Sequence, residues 1–549
     1  MEFYNESALQ EKHDDVYESC LFPQKVLPPG TTKTDFAAAI IEFGKVIGLE
    51  HVITGGNLIN FNDPYPLDQT AHQASAALCP QFTEEIQAIV RIANAYRIPL
   101  YGGPAPRETG TVVLSLHRMK SILEVNETLT YVVVEPGVTF FDLDKYFKEH
   151  DFNLWIGTPA LGWGSIVGNV RIQCSGISHM ATSETLDRGH GYTPSGDRQH
   201  GIGSMEVVLP SGELLRTGQW GVSRSPSAHA CSNNFGPQID GLFLQSNLGI
   251  VTKLAVYVDV APPAYMSIVV NCPEVEQLSP LIDTLQQLFR EEILQNHIHI
   301  VNINHFASRD SRKHMQQQRE GPLGEDTLDR MRKKYKTGYW RGAFDLYGSE
   351  AMIAVRFERI KEVFAKRLSG AWLDHKLFLG KDGKPVDNKE VGTIGAGFPN
   401  MMGAALADYN LPADGTGAGA HIDATLILPC IGKVTLDWFV KMRKLMEDLG
   451  ADPFIGCHVF NRHILFVQEY VFDKTQQSHR ERGQKVLASV MAAAKEAGFA
   501  NYRSHLDHMG AILLLTCFSF MLTAIDAIQD LYDFNGQIYK RLVTDIKVR

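Results

Sequence analysis

The chain has no basic block. Its 52 Lys and Arg are outnumbered by 62 Asp and Glu, giving a formal net charge of -10. Nucleic-acid binding needs clustered phosphate-neutralising charge, so that class is excluded. A Lys/Arg-rich amphipathic helix able to sit on an anionic membrane is also missing. The 8 cysteines lie far apart and no pair has C-x-x-C spacing, which argues against a disulfide or zinc framework and for buried neutral thiols in a reducing compartment. The first residues show no charged n-region followed by an apolar h-region, so the expected location is cytoplasmic or peroxisomal. The apolar run 511–525 has 15 residues, short of the roughly 18–20 that span a bilayer. No G-x-G-x-x-G follows a first strand, which disfavours a Rossmann dinucleotide site. No fixed-period repeat is present.

The composition, 44% apolar and 21% charged over 549 residues, is that of a globular protein with several cores. Phe36, Ile40, Phe43 and Ile47 recur at helical spacing over 34–48, as do Ile86, Ile89 and Val90 over 83–97. Short β-branched runs follow at 112–114, 131–135, 205–209, 214–216 and 249–256. Helices and strands are therefore mixed in an α+β manner rather than in βαβ alternation. Ala261-Pro262-Pro263 reads as a boundary. The expected plan is a lead-in at 1–30, a first domain at 31–260, a second α+β domain at 261–490, and a segment 491–549 that returns to the first domain. Within the second domain, 275–298, 347–367, 435–449 and 478–497 read as helices and 423–429 and 464–471 as strands. The charged stretch 308–336 reads as surface, and 412–420 as a Gly-rich loop leading to His421.

Three glycine-containing turns in the first half can bring backbone N–H groups close to an anion such as a pyrophosphate. They are Glu135-Pro136-Gly137, the loop from Leu161 through Ser165 to Gly168-Asn169, and Asn247-Leu248-Gly249-Ile250-Val251. Their order, with Tyr101-Gly102-Gly103-Pro104-Ala105-Pro106-Arg107, Leu186-Asp187-Arg188-Gly189-His190-Gly191-Tyr192-Thr193-Pro194 and Asn234-Phe235-Gly236-Pro237-Gln238, resembles the vanillyl-alcohol oxidase / 4-cresol dehydrogenase family of FAD-linked oxidoreductases. The resemblance runs over about 25–505 and is densest before 265.

That resemblance implies a two-subdomain FAD-binding domain with an α+β cap, an antiparallel sheet covered by helices. It implies oxidation of a para-substituted phenol by hydride transfer to flavin N5, with O2 or another electron acceptor, and a homo-oligomeric assembly. A phenol has a pKa near 10, so the site must stabilise phenolate by donors and a cation. By resemblance Tyr101, Tyr502 and Arg503 do this, Tyr192 stands beside flavin and substrate, and His421 bonds covalently to the flavin. The expected FAD contacts are Gly102, Gly103, Glu135, Pro136, Gly137, Ser165, Gly168, Asn169, Asn247, Gly249, Ile250 and Val251.

The chain departs from the family in places. Leu100 runs straight into Tyr101, where a longer loop would meet the pyrophosphate. Residues 170–184 and 510–525 interrupt motif joints, and the family's final tail is missing after Arg549. These departures imply weaker FAD binding and leave two further readings open: an impaired or mis-spliced paralogue, and a protein associated with a membrane through 511–525. Ala160 stands where hydroxylating members keep an aspartate that activates water. That change implies either another base or a reaction without hydration, suited to a biosynthetic role on an unusual aromatic metabolite.

Overall fold

The structure, a computed structural model, describes residues 26–61, 63, 65–102, 108–169, 191–196, 201–233, 238–244, 248–317 and 320–503. The chain opens on helix α1 (Lys33–Ile47), whose first turn is capped by the Thr32 hydroxyl accepting from the Asp35 amide. Gly48 at φ 85° ends it. Phe36, Ile40 and Phe43 bury one face against helix α2 (Thr83–Tyr96) and a small sheet. That sheet has the order β1 (Val52–Ile53), β2 (Ala77–Leu78), β4 (Val112–Leu114), β3 (Leu100–Gly102). A second sheet is antiparallel, in the order β5 (Ile122–Asn126), β6 (Tyr131–Val134), β10 (Ile250–Tyr257), β8 (Ile202–Val208), β9 (Leu214–Arg216). Its central strands read as continuous buried apolar runs, because helix α3 (Phe140–Glu149) covers one face and the first subdomain the other. One-turn helix α4 (Ile166–Asn169) and the pair β7 (Leu154–Trp155) with β11 (Asp259–Val260) complete this half.

From Ala264 onward the chain builds an eight-stranded sheet. Its order is β15 (Trp372–Leu379), β12 (Ala264–Cys272), β14 (Trp340–Gly348), β13 (Ile298–Asn302), β17 (Phe454–Val459), β18 (His463–Asp473), β16 (Gly419–Pro429), β19 (Asn501–Arg503). Helices α5 (Leu278–Arg290), α8 (Glu350–Arg367), α9 (Gly432–Asp448) and α10 (Gln477–Ala497) cover one face and form the largest core. Short helices α6 (Ile303–Ala307) and α7 (Glu325–Tyr335) lie after β13. The other face carries polar side chains and turns toward the first half of the molecule.

Several expectations need correction. The helix expected at 275–298 stops at Arg290, and β13 begins at Ile298. The helix expected at 347–367 begins at Glu350, after a strand that ends at Gly348. The stretch 308–336 is not all surface: α7 buries Leu328 and Met331, and Lys313 reaches the buried Asp452 at 2.5 Å. Gly419 and Ala420, expected in the loop, already belong to β16, which carries His421. A boundary at 490 would cut α10, and β19 is a strand of the cap sheet, so residues 491–503 stay with the cap. The helix expected at 478–497 already ran through that boundary, and the structure keeps it whole. The apolar run 511–525 lies outside the described residues; among those, no helix is long and apolar enough to cross a membrane.

Candidate active site

Strand alternation builds the site. In β13, Ile298 and Ile300 are fully buried in the helix-covered core, so His299 must point to the opposite, polar face. His299 sits opposite His458 of β17, and their rings stack at 4.6 Å with 5° between planes. Tyr192 joins them, with ring centroids 4.9 Å from His297, 5.7 Å from His299 and 5.9 Å from His458.

Tyr192 is held from both sides. Its carbonyl accepts hydrogen bonds from Asn296 Nδ2 at 2.8 Å and the Tyr347 hydroxyl at 3.2 Å. Its turn folds tightly, with the Gly191 amide donating to the Gly196 carbonyl at 2.7 Å. A Cβ on Gly191 would stand 2.3 Å from the Gly157 backbone, so this turn can press on the 157–160 segment only as glycine. Asn296 also bonds Asp345, whose other carboxyl oxygen accepts the Tyr265 hydroxyl at 2.5 Å. Burial pushes the Asp345 carboxyl up to about 7, against the pull of these donors.

His421 lies on β16 and is 1% exposed. Neither ring nitrogen has a hydrogen-bond partner among the described residues. Burial holds its pKa below the ordinary histidine value, outweighing the nearby Glu469 and Asp423, so the imidazole is neutral and its lone pair available. Tyr65 packs against it at 5.3 Å. Asp423 is next on the same face and pairs in register with Glu469 of β18. Glu469 stands 2.9 Å from His305 Nε2. Desolvation raises the Glu469 pKa, but His305, His421 and Arg309 outweigh it and hold the carboxyl below its usual range. Strand β19 lies alongside β16, with Arg503 paired with Thr425, four residues along the strand from His421.

The other expected residues are distributed as follows. Tyr101 and Gly102 are in β3, half-buried and buried, beside Val113 and Leu114. Gly103, Asn247 and the side chains of Asn169 and Arg503 lie outside the described residues. The Glu135 carboxylate accepts from the Ser121 amide at 2.8 Å, so this side chain ties its turn to the neighbouring strand. Pro136 and Gly137 share that turn; a Cβ on Gly137 would meet the Met119 carbonyl at 2.6 Å. Ser165 caps α4 by accepting from the Gly168 amide at 2.7 Å. Gly249 leads into Ile250 and Val251 at the start of β10, where a Cβ would meet Val207 at 2.4 Å. Sequence reasoning missed His297, His299, His305, His458 and Glu469. The signal was present for two of them: His297-Ile298-His299-Ile300 alternates with a period of two, the mark of a strand with one polar face.

The model of an FAD binding domain matches residues 74–218. The 4-cresol dehydrogenase flavoprotein subunit of Pseudomonas putida is 26% identical over 500 residues, covering 87% of this chain and 90% of its own. The structure is similar to that of 4-ethylphenol oxidase from Gulosibacter chungangensis, with a TM-score of 0.83, 28% identity, and coverage of 93% and 97%. In sequence and fold the chain is similar to the FAD-linked vanillyl-alcohol oxidase / 4-cresol dehydrogenase group. It is an FAD-dependent flavoprotein oxidoreductase with the family's α+β fold. A third relative, 1'-carboxy-chondrochloren decarboxylase of Chondromyces crocatus, is 30% identical over 319 residues, 55% of this chain and 56% of its own. The residues present fit an FAD. The buried, unpartnered nitrogens of His421 and the unpartnered Thr193 hydroxyl both require a polar neighbour that the described residues do not supply.

Proposed function

We propose that this flavoprotein oxidises a para-substituted phenol, with Tyr101, Tyr502 and Arg503 holding the phenolate and His421 carrying the flavin covalently. Bound FAD supplies the hydride acceptor. The observation that carries the reading is His421: a fully buried, neutral imidazole with both nitrogens unpartnered, on the strand beside Tyr502 and Arg503. A neutral imidazole is a competent nucleophile, and Arg503 lies on the neighbouring strand, paired four residues along from it. Tyr192 supplies an aromatic wall, fixed through its carbonyl by Asn296 and Tyr347. Ala160 offers no base, so the reading favours a product formed without addition of water. The relative named a decarboxylase, rather than a hydroxylating dehydrogenase, is in keeping with that chemistry.

The test uses purified holoprotein. Expected is absorbance near 450 nm that survives acid precipitation, flavin bleaching by 4-alkylphenols under anaerobic conditions, and peroxide release in air. In His421→Ala the flavin should become extractable while still bleaching, more slowly. A colourless protein, or a flavin that no 4-substituted phenol reduces, would overturn the reading.

A further inference from the structure

Tyr192 owes its place to contacts made away from its ring. Segment 393–403 of the cap lies as a strap along 155–162 of the flavin domain, the stretch that includes Ala160. A Cβ on Gly397 would stand 3.0 Å from the Ile156 carbonyl oxygen. The Gly162 amide donates to the Asn400 carbonyl at 2.8 Å, and the Gly403 amide to the Ala160 carbonyl at 3.3 Å. The 191–196 turn presses on the same stretch at Gly157, where a Cβ would meet the Thr193 hydroxyl at 2.8 Å. Strap and turn therefore bear on one segment.

Both run back to one carboxyl. Asp345 of β14 accepts from the Tyr265 hydroxyl at 2.5 Å through Oδ1 and from Asn296 Nδ2 at 3.0 Å through Oδ2. Tyr265 also lies 3.1 Å from the Thr393 hydroxyl, at the start of the strap. The same Asn296 nitrogen donates to the Tyr192 carbonyl. The strap passes so close that a Cβ on Gly395 would collide with Asp345 Oδ2. A carboxylate accepts from both donors at once. A protonated carboxyl has to donate one hydrogen itself; Tyr265 can receive it, and then turns its own hydrogen to Thr393. One proton thus reverses two bonds on the strap side. The groups that hold the carboxylate are all neutral: Tyr265, Asn296 and Tyr347. The other titratable groups nearby are Asp259, which acts on Tyr347, and His297, whose ring lies beside that of Tyr192.

We propose that Asp345 is a positioning residue for the oxidation: as a carboxylate it tightens the strap through Tyr265 and the Tyr192 turn through Asn296, and so sets the wall beside the substrate. This rests on the phenol reading above and deepens it. A hydrogen bond to an ionised acceptor is shorter and stronger than one to a neutral acceptor, so the charge on Asp345 decides how firmly both segments are held. Asp345 acts through its neighbours and takes no part in the chemical step.

The experiment is the pH profile of kcat/KM for 4-ethylphenol with holoprotein, which reports groups of the free enzyme. The substrate's own hydroxyl titrates at about 10 and puts no bend lower down. Desolvation pushes the Asp345 carboxyl up to about 7, so the native profile should rise through that pH as the carboxylate forms. Asp345→Asn has the shape of the protonated acid. Its profile should be flat from about pH 6 to 8 at the level of the native low-pH limb, about tenfold below native at the upper end and mostly in KM. Tyr265→Phe removes a donor that favours the carboxylate, so its bend should move to higher pH. A native profile without this bend, or an Asp345→Asn profile that keeps it or runs at the native high-pH level, would overturn the role. Amide hydrogen exchange separates the role from the phenol reading. Asp345→Asn should speed exchange at Gly162, Gly196 and Gly403, whose amides bond within the clasp, and leave β17 and β18 unchanged. If no phenol reduces the flavin the phenol reading falls, and faster exchange at those glycines still supports the clasp. Unchanged exchange there would overturn the positioning role on its own.

Discussion

Asp345 is a buried carboxyl whose charge is expensive to keep. Its pKa is pushed up to about 7 by burial, whereas an unfolded aspartate titrates near 4. The folded state therefore binds the proton more tightly, and the stability it contributes is present at low pH and lost as pH rises through about 7. Asp345→Asn should flatten this decline between about pH 4 and 7, measured as urea midpoints against pH. A slope equal to that of the native chain would contradict the assignment. Glu469 has the opposite sign. Its folded pKa is depressed, so its contribution is present above the ordinary glutamate range and lost as pH falls. Leaving a buried hydrogen-bonding group poorly satisfied costs about 1–3 kcal/mol. Glu469→Gln, which alters the contact with His305, should therefore lower stability at pH 7 by about 1–3 kcal/mol, and the difference from the native chain should shrink on acidification.

Single elements explain which parts of the site could be read from the sequence. The helices α1 and α2 were legible because their apolar residues recur at helical spacing and a cap or a glycine marks an end. The strand leading into the Glu135-Pro136-Gly137 turn and the one after Gly249 were legible from β-branched runs bounded by turns. Strand β13 was not: the expected helix ran on to Ile298, the strand's first residue, and 299–302 had no assignment, since a helix end and a short strand cannot be separated by hydrophobicity alone. With β13 lost, the histidines on its polar face were lost too. Strand β14 failed for a related reason, since Tyr347 and Gly348 were counted into α8. The two faces of β13 should separate experimentally. Ile300→Ala opens a hole in the cap core and should cost about 2–5 kcal/mol in urea unfolding. His299→Gln should cost less than about 1 kcal/mol, because its side of the strand faces the site. A larger loss for His299→Gln than for Ile300→Ala would reverse the assignment of faces.

At the scale of the whole molecule, the cap and the flavin domain meet through polar contacts as well as apolar ones. Asn296 and Tyr347 of the cap hold Tyr192, and Asn388 reaches Asp144 of α3 at 2.9 Å. The family resemblance gave this two-part plan, but not the contacts, because none of these pairs is close in sequence. A ligand that binds the folded state alone stabilises it by about 2.7 kcal/mol at one hundred times its Kd. His421→Ala protein, stripped of its extractable flavin, should therefore melt lower than the same variant with flavin bound, and added FAD should restore the difference in a concentration-dependent way. Melting indifferent to FAD would mean that the cofactor site does not form.

One consequence concerns time rather than energy. Strand β19 has three residues and, among the described residues, one neighbour, so Tyr502 and Arg503 hang on a ladder bonded on one side and broken by a shift between Thr425 and Leu426. Backbone amides in such a place trade hydrogen for deuterium far sooner than those of β17 or β18, which are enclosed on both sides. The residues assigned to the phenolate thus carry their own clock: a phenol that settles against them should slow exchange at 501–503 while the sheet's interior keeps its pace.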